Sequence, residues 1–289
     1  MNFKTYIFLL FAISLMACED IIDVDLDQGE ILLVADAFIT SESAIQTIKL
    51  TKTAPYFQSQ TVPPLEGAQV VIKGDDGSIY PFNETSPGNY SWVPQLGEAI
   101  DSIGTIYTLE IDYKGERFLS NSKLNPVPPI DTITFEFEPA GLGQDEDGYI
   151  AEFQARDIAG RDDFYWIKAF RNNARVGNPG SFSTSENGAF GGTDADGKLF
   201  IVPVRIFFIN DDNLYQLGEN VRVEVWSINE EISEYFLAVE AQTNNGGLFA
   251  VPAANIYGNI LDANGESQKK MLGAFSISAV STRTEIVKE

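Results

Sequence analysis

The sequence predicts a mainly β protein: an N-terminal immunoglobulin-like β-sandwich, then a second β-rich domain that carries one helix. Three features predict it. Short runs alternate apolar and polar residues from Glu30 onward, turn residues punctuate nearly all of them, and a single segment has helical spacing. Of the 289 residues, 44% are hydrophobic and 12% aromatic, enough for packed cores despite a formal charge of -23.

Residues 1–17 read MNFKTYIFLLFAISLMA, with Lys4 as their one positive charge and an apolar run from Tyr6 to Leu15 broken only by Ser14. A run of about ten suits a signal peptide and falls far short of the roughly twenty residues that span a bilayer. Leu15, Met16 and Ala17 precede Cys18, the only cysteine, in a pattern that resembles the bacterial lipobox. Cys18 is therefore expected to be cleaved at and lipidated, so that the membrane is met through a lipid anchor only. Residues 18–29 follow as an acidic tether with Glu19, Asp20, Asp23, Asp25 and Asp27. Its spacing does not suit an EF-hand, because counting from Asp23 the sixth and twelfth positions are Gln28 and Val34.

Residues 30–124 carry about seven short strands. ILLVADAFIT and IQTIKLTKT come first, then a proline-rich loop from Ala54 to Gly67. AQVVIKGDDGSIYPF reads as a hairpin with Asp76-Gly77 at its turn. NYSWV, TIYTLEIDY and ERFLSNS complete the set. Seven strands with regular turns suggest a sandwich. Asn125-Pro126-Val127-Pro128-Pro129 breaks the pattern and serves as a proline-rich linker over 125–129. The second domain, 130–289, continues with ITFEFEP, YIAEFQARD, FYWIKAFRN, LFIVPVRIFFIN and VRVEVWSI. A Gly/Asn/Ser-rich stretch from Asn172 to Lys198 reads as a long loop. The helix is expected at about 228–243: Ser227 and Glu230 form a capping-box pattern, and Ile232, Tyr235, Phe236 and Val239 share one face.

Chemistry is constrained by what is missing. The chain has no histidine, which removes imidazole bases and the usual zinc and iron sites. With 42 acidic against 19 basic residues, nucleic acid is an unsuitable partner. No cofactor or catalytic set is expected. Two-carboxylate glycan hydrolysis stays open as an alternative, with Asp145, Glu146, Asp147, Asp194 and Asp196 as its acids, and so does a structural or adhesive role. Asp194 and Asp196 also have oxygen-ligand spacing for calcium, a pattern that plain turns share. For partner binding, the loop aromatics Tyr56, Phe57, Phe182 and Phe190 are the candidates, because rings in polar loops lose contact area unless they meet something.

Taken in order, the acidic run after Cys18, KTAPYF, EGAQVVI, VPPIDTI, SINEEISEYF and the closing NIYGNI and MLGAFSISAV resemble a Bacteroidetes family of outer-membrane lipoproteins, DUF4249. The resemblance covers nearly all of the chain after residue 17. It implies an outer-membrane location, possession of no established catalytic residues, and a partner among TonB-dependent outer-membrane receptors, hence a non-enzymatic binding or accessory role in uptake.

Overall fold

Alternation sorts side chains onto two faces of a strand, and the computed structural model shows what those faces enclose. The structure describes residues 30–54, 62–141, 146–178, 180–191, 194–246, 254–263 and 270–288. Cys18, the signal segment, the whole acidic tether, Tyr56, Phe57 and Asp145 lie outside these residues. In chain order the strands are β1 (Leu33–Thr40), β2 (Gln46–Lys52), β3 (Gln69–Gly74), β4 (Ile79–Ser86), β5 (Asn89–Trp92), β6 (Ile106–Tyr113) and β7 (Glu116–Lys123). Next come β8 (Ile130–Glu138), β9 (Gly148–Ala155), β10 (Phe164–Arg171), β11 (Ala174–Arg175), β12 (Thr184–Glu186), helix α1 (Val202–Phe207), β13 (Asn220–Ile228) and helix α2 (Glu230–Thr243). β14 (Tyr257–Asp262), β15 (Lys270–Ser278) and β16 (Val280–Ile286) close the chain.

The protein is mainly β, but the first sheet is a single closed path. Its order is β1-β15-β14-β7-β6-β3-β4-β5-β2, a nine-strand barrel rather than the two stacked sheets of an immunoglobulin-like sandwich. Alternation specifies faces equally well for either arrangement, and the strands that close the path lie beyond residue 256, outside the 30–124 stretch. Ala35, Ala37 and Ile39, Ile48 and Leu50, Val70 and Ile72, and Tyr107, Leu109 and Ile111 point inward with Met271, Phe275 and Ile277. β1 runs parallel to β15 in an unbroken register from Val34–Leu272 to Thr40–Ser278. Gly273 lets them approach: its φ is +86°, and a Cβ there would lie 1.9 Å from the Ala35 carbonyl oxygen.

One seam of the barrel is only partly laddered. β7 and β14 pair at Leu119–Leu261 and Phe118–Asp262. At Asn259 the side-chain amide substitutes for a strand backbone: Nδ2 donates to the Phe275 carbonyl and Oδ1 accepts from the Phe275 N–H, both at 2.9 Å.

The remaining strands build a second layer set. β11, β10, β13 and β16 form one sheet with β12 on β10, and β8 and β9 form a hairpin. Tyr165, Ile167, Ala169, Val221, Val223 and Val225 share a core with Ile133, Ala151 and Phe153 of the hairpin. Within residues 199–210, read from sequence as a strand, Val202–Phe207 form α1 instead, with Pro203 in its first turn, where a missing N–H costs nothing. Buried Arg205 on α1 pairs with Glu152 and donates to Gln154 Oε1 at 2.8 Å.

α2 starts after Asn229, and no side chain caps it. Ser227 does not serve the capping box: its hydroxyl donates to the Asn125 carbonyl at 2.7 Å and accepts from the Ala279 N–H at 3.0 Å. Asn229 Nδ2 donates to Ser122 Oγ at 2.9 Å, and Asn125 Nδ2 donates to Asn229 Oδ1 at 2.8 Å. With the Ile277 N–H donating to Ser122 Oγ at 3.1 Å, this chain of polar bonds ties β7, the proline-rich 125–129 segment, β13 and β15. Ile31–Glu289 accordingly forms one compact unit. Among the described residues, no helix is long and apolar enough to cross a membrane.

Candidate functional site

Where the five-stranded sheet meets the barrel wall, aromatic rings and charges converge. Trp166 and Trp226 stand opposite each other in the β10–β13 ladder, with centroids 5.5 Å apart. Lys168 Nζ lies between them, 3.5 Å from one ring centroid and 3.2 Å from the other. Phe38 on the outer face of β1 meets Trp166 edge-on at 5.9 Å, and Phe236 of α2 completes the cluster at 4.7 Å from Trp166. Burial, and then the Arg175 guanidinium, push Lys168 down to about 6, while Asp36 and Glu42 oppose that shift. The two ring faces act in the same sense as these carboxylates, because π-faces attract a cation.

The loop aromatics chosen from sequence separate into two roles. Phe182 is half-buried and stacks on Phe236 with centroids 4.3 Å apart and planes 9° from parallel, so it pins its segment to α2. Phe190 is 48% exposed and meets Phe208 edge-on at 6.2 Å. The structure does not present these rings as a pair. The Asn172–Lys198 stretch is also less irregular than its composition suggests, because β11 and β12 both pair with β10.

Acidic groups in this half hold turns. Asp157 and Asp163 are buried. Asp157 accepts from the Tyr165 hydroxyl at 2.7 Å and from the Gly197 N–H at 3.0 Å. Asp163 sits 2.7 Å from Arg161 Nε, and its backbone N–H donates to Asn187 Oδ1 at 2.7 Å. Burial raises the Asp163 carboxyl, Arg161 opposes this, and neighbouring Asp157 reinforces it. Burial and then the bond to Asp157 lift the Tyr165 hydroxyl out of any useful titration range. Asp196 accepts from the Gly160 N–H at 2.8 Å, Asp194 pairs with Lys198 at 3.0 Å, and Asp147 accepts from the Ala140 N–H at 2.7 Å. Glu146 is exposed. Among the described residues, no cluster of three or more His, Cys, Asp or Glu is placed to hold a metal.

Two features of the barrel were not singled out from sequence. A cleft of about 390 Å³ opens at the β7–β14 seam, lined by Ser120, Asn121, Glu231, Asn259, Leu261 and Asp262 among others. At one end of the barrel, three loops and the strand starts that follow them carry apolar side chains that are exposed among the described residues. The β1–β2 turn carries Ile45, the β3–β4 turn leads into Ile79, and the β5–β6 loop carries Val93, Leu96 and Ile103 and leads into Ile106. Leu96 is fully exposed, and the others range from 44% at Ile106 to 64% at Ile45 and Ile79. The ladders fix this common placement: Gln46 faces Trp92, and Gly74 faces Tyr107. Ser43 Oγ also donates to the Glu98 carbonyl at 2.8 Å, and Thr105 Oγ1 reaches Asp76 at 3.5 Å. The available sequence signal was a loop with four large aliphatic residues and no alternation.

Comparison with curated proteins gives no match. The family model for a domain of unknown function, DUF4249, matches residues 19–284, nearly the whole chain beyond its first eighteen residues. The chain therefore belongs to the DUF4249 family.

Proposed function

We propose that this protein is a non-enzymatic outer-membrane lipoprotein, anchored through lipid on Cys18, that serves as a binding or accessory component of a TonB-dependent uptake system. The anchor and location rest on the sequence pattern around Cys18, and the uptake role rests on the family resemblance. The observation that carries a binding role over chemistry is how the side chains are used. Buried Asp157 accepts from the Tyr165 hydroxyl and the Gly197 N–H, and buried Asp163 is paired with Arg161, while large apolar side chains stand exposed at one end of the barrel. Enzyme sites invert that pattern, leaving perturbed titratable groups free in a cleft.

The test uses the full chain expressed from its own gene. Radiolabelled palmitate is expected in the wild type and not in Cys18→Ala, which moves to the soluble fraction. Mild crosslinking followed by purification is expected to recover a TonB-dependent receptor. A receptor-free eluate overturns the uptake role, and palmitate retained by Cys18→Ala overturns the anchor.

A further inference from the structure

We propose that the exposed apolar end of the barrel is a docking surface for a protein partner whose contact face sets Lys and Arg around apolar side chains. The proposal rests on the binding-component reading above and specifies its partner. Scattered exposed aliphatic residues are ordinary on a protein surface, but four on two loops and two at the first residues of β4 and β6, all at one barrel end, make a grouping of the kind that marks an interface.

Charge identifies the partner. Residues 41–45, 75–78 and 93–105, the three loops themselves, contain Glu42, Asp75, Asp76, Glu98 and Asp101 and no lysine or arginine. All five acids are exposed. Two cations stand at the margin: Lys123, opposite Ile106 in the β6–β7 ladder, and Lys73, opposite Ile79 in the β3–β4 ladder and paired with Glu110 at 2.8 Å. Asp75 and Asp76 are fixed in place, because Asp75 Oδ1 accepts from the Ile106 N–H at 3.1 Å and Asp76 Oδ1 accepts from the Ser78 N–H at 2.9 Å. Those bonds occupy some acceptor sites and hold the carboxylates among the aliphatic side chains. An apolar centre with an acidic surround is the complement of a basic surface bearing aliphatic or aromatic knobs. An anionic lipid surface would be repelled by the same five acids, and two copies of this chain would bring the acids face to face.

The apolar core supplies the contact and the acids supply speed and selectivity, so the two should fail differently. A photo-crosslinking side chain, p-benzoylphenylalanine, is placed at position 96 and, as a control on the barrel wall, at position 121 in the full-length protein in its native host. Position 96 is expected to crosslink to one protein through a peptide containing Lys or Arg, and position 121 is not. Reversing two acids, Glu98→Lys with Asp101→Lys, should lower the position-96 yield about tenfold, and Ile103→Ser should lower it without changing its salt dependence. Circular dichroism and thermal melts of each variant establish that the barrel is intact.

Crosslinking from 121 alone overturns the docking surface and leaves the binding-component reading standing. Crosslinks from neither position overturn both. Crosslinks from 96 to lipid, to a second copy of this chain, or to an acidic peptide overturn the proposal. So does a charge-reversed variant that crosslinks as well as wild type.

Discussion

The barrel and the five-stranded sheet bury their apolar residues by different routes. The barrel folds a sheet on itself, so each strand has one inner and one outer face, and its ion pairs, such as Glu110 with Lys73 and Arg117, sit on the outside. The five-stranded sheet is covered on both sides. One face packs aliphatic residues on the β8–β9 hairpin, and the other carries Trp166, Lys168 and Trp226 against α2 and the barrel wall. Closure makes backbone fit the limiting factor, whereas layering makes side-chain fit and charge burial limiting. The barrel should therefore be most vulnerable where strands approach closely, and the sheet where rings and cations are stacked.

The largest expected effect tests the first half of that contrast. Gly273→Ala puts a Cβ 1.9 Å from the Ala35 carbonyl oxygen at a left-handed φ, so the parallel β1–β15 contact must open. A loss of about 3 kcal/mol or more is expected, roughly 10 °C in Tm. Gly115→Ala, with φ +85° and nothing nearby, should cost only about 1 kcal/mol. Equal losses in thermal melts would show that backbone conformation alone, rather than strand approach, limits the barrel.

The next effect separates the two loop rings. Phe182→Ser removes the face-to-face contact with Phe236 and should cost about 2 kcal/mol in urea unfolding. Phe190→Ser should stay within about 0.5 kcal/mol of wild type. If the two variants melt alike, Phe182 is not the pin described.

The smallest effect concerns charge burial. Lys168 is pushed from 10.5 down to about 6 in the folded chain, so between those pH values the unfolded state binds more protons than the folded one. Stability from this group therefore falls as pH drops from about 10 toward 6 and is constant below that. Relative to Lys168→Met, the wild type should lose about 1 kcal/mol across this window, a figure reduced for its partial exposure and for the rings that favour its charge. Urea melts at both ends of the window check the sign, and a wild type that gains on acidification contradicts it.

Much of this contrast was legible as pattern and little of it as pairing. Val70 with Ile72, and Tyr107 with Leu109 and Ile111, alternate in the sequence and point inward in the barrel, and Asp76-Gly77 does sit at the β3–β4 turn. Period two assigns a face but names no neighbour, so nothing near Leu33 announces that β1 pairs with a strand more than two hundred residues away. α1 escaped because Val202, Val204 and Ile206 alternate as a strand would, while Pro203 fits a helix start better than a central strand. Ser227 was misread because a local capping pattern and a long-range hydrogen bond look identical in sequence. The apolar barrel end was visible only as Val93, Leu96 and Ile103 in a loop. Their convergence with Ile45 and Ile79 depends on which strand ends lie together, and that is set by the ladders.

The parallel pairing of β1 with β15 also sets the order of events when the chain folds. Synthesis delivers residues 33–40 long before residues 270–278, so the first strand waits beside an unpaired edge until the last part of the chain arrives. Closing so long a loop late makes folding slow, and throughout that interval the open edge is exposed to other chains. A chain stopped before residue 257 would keep most of its strands but lack the two that close the barrel, leaving it sticky rather than merely shortened.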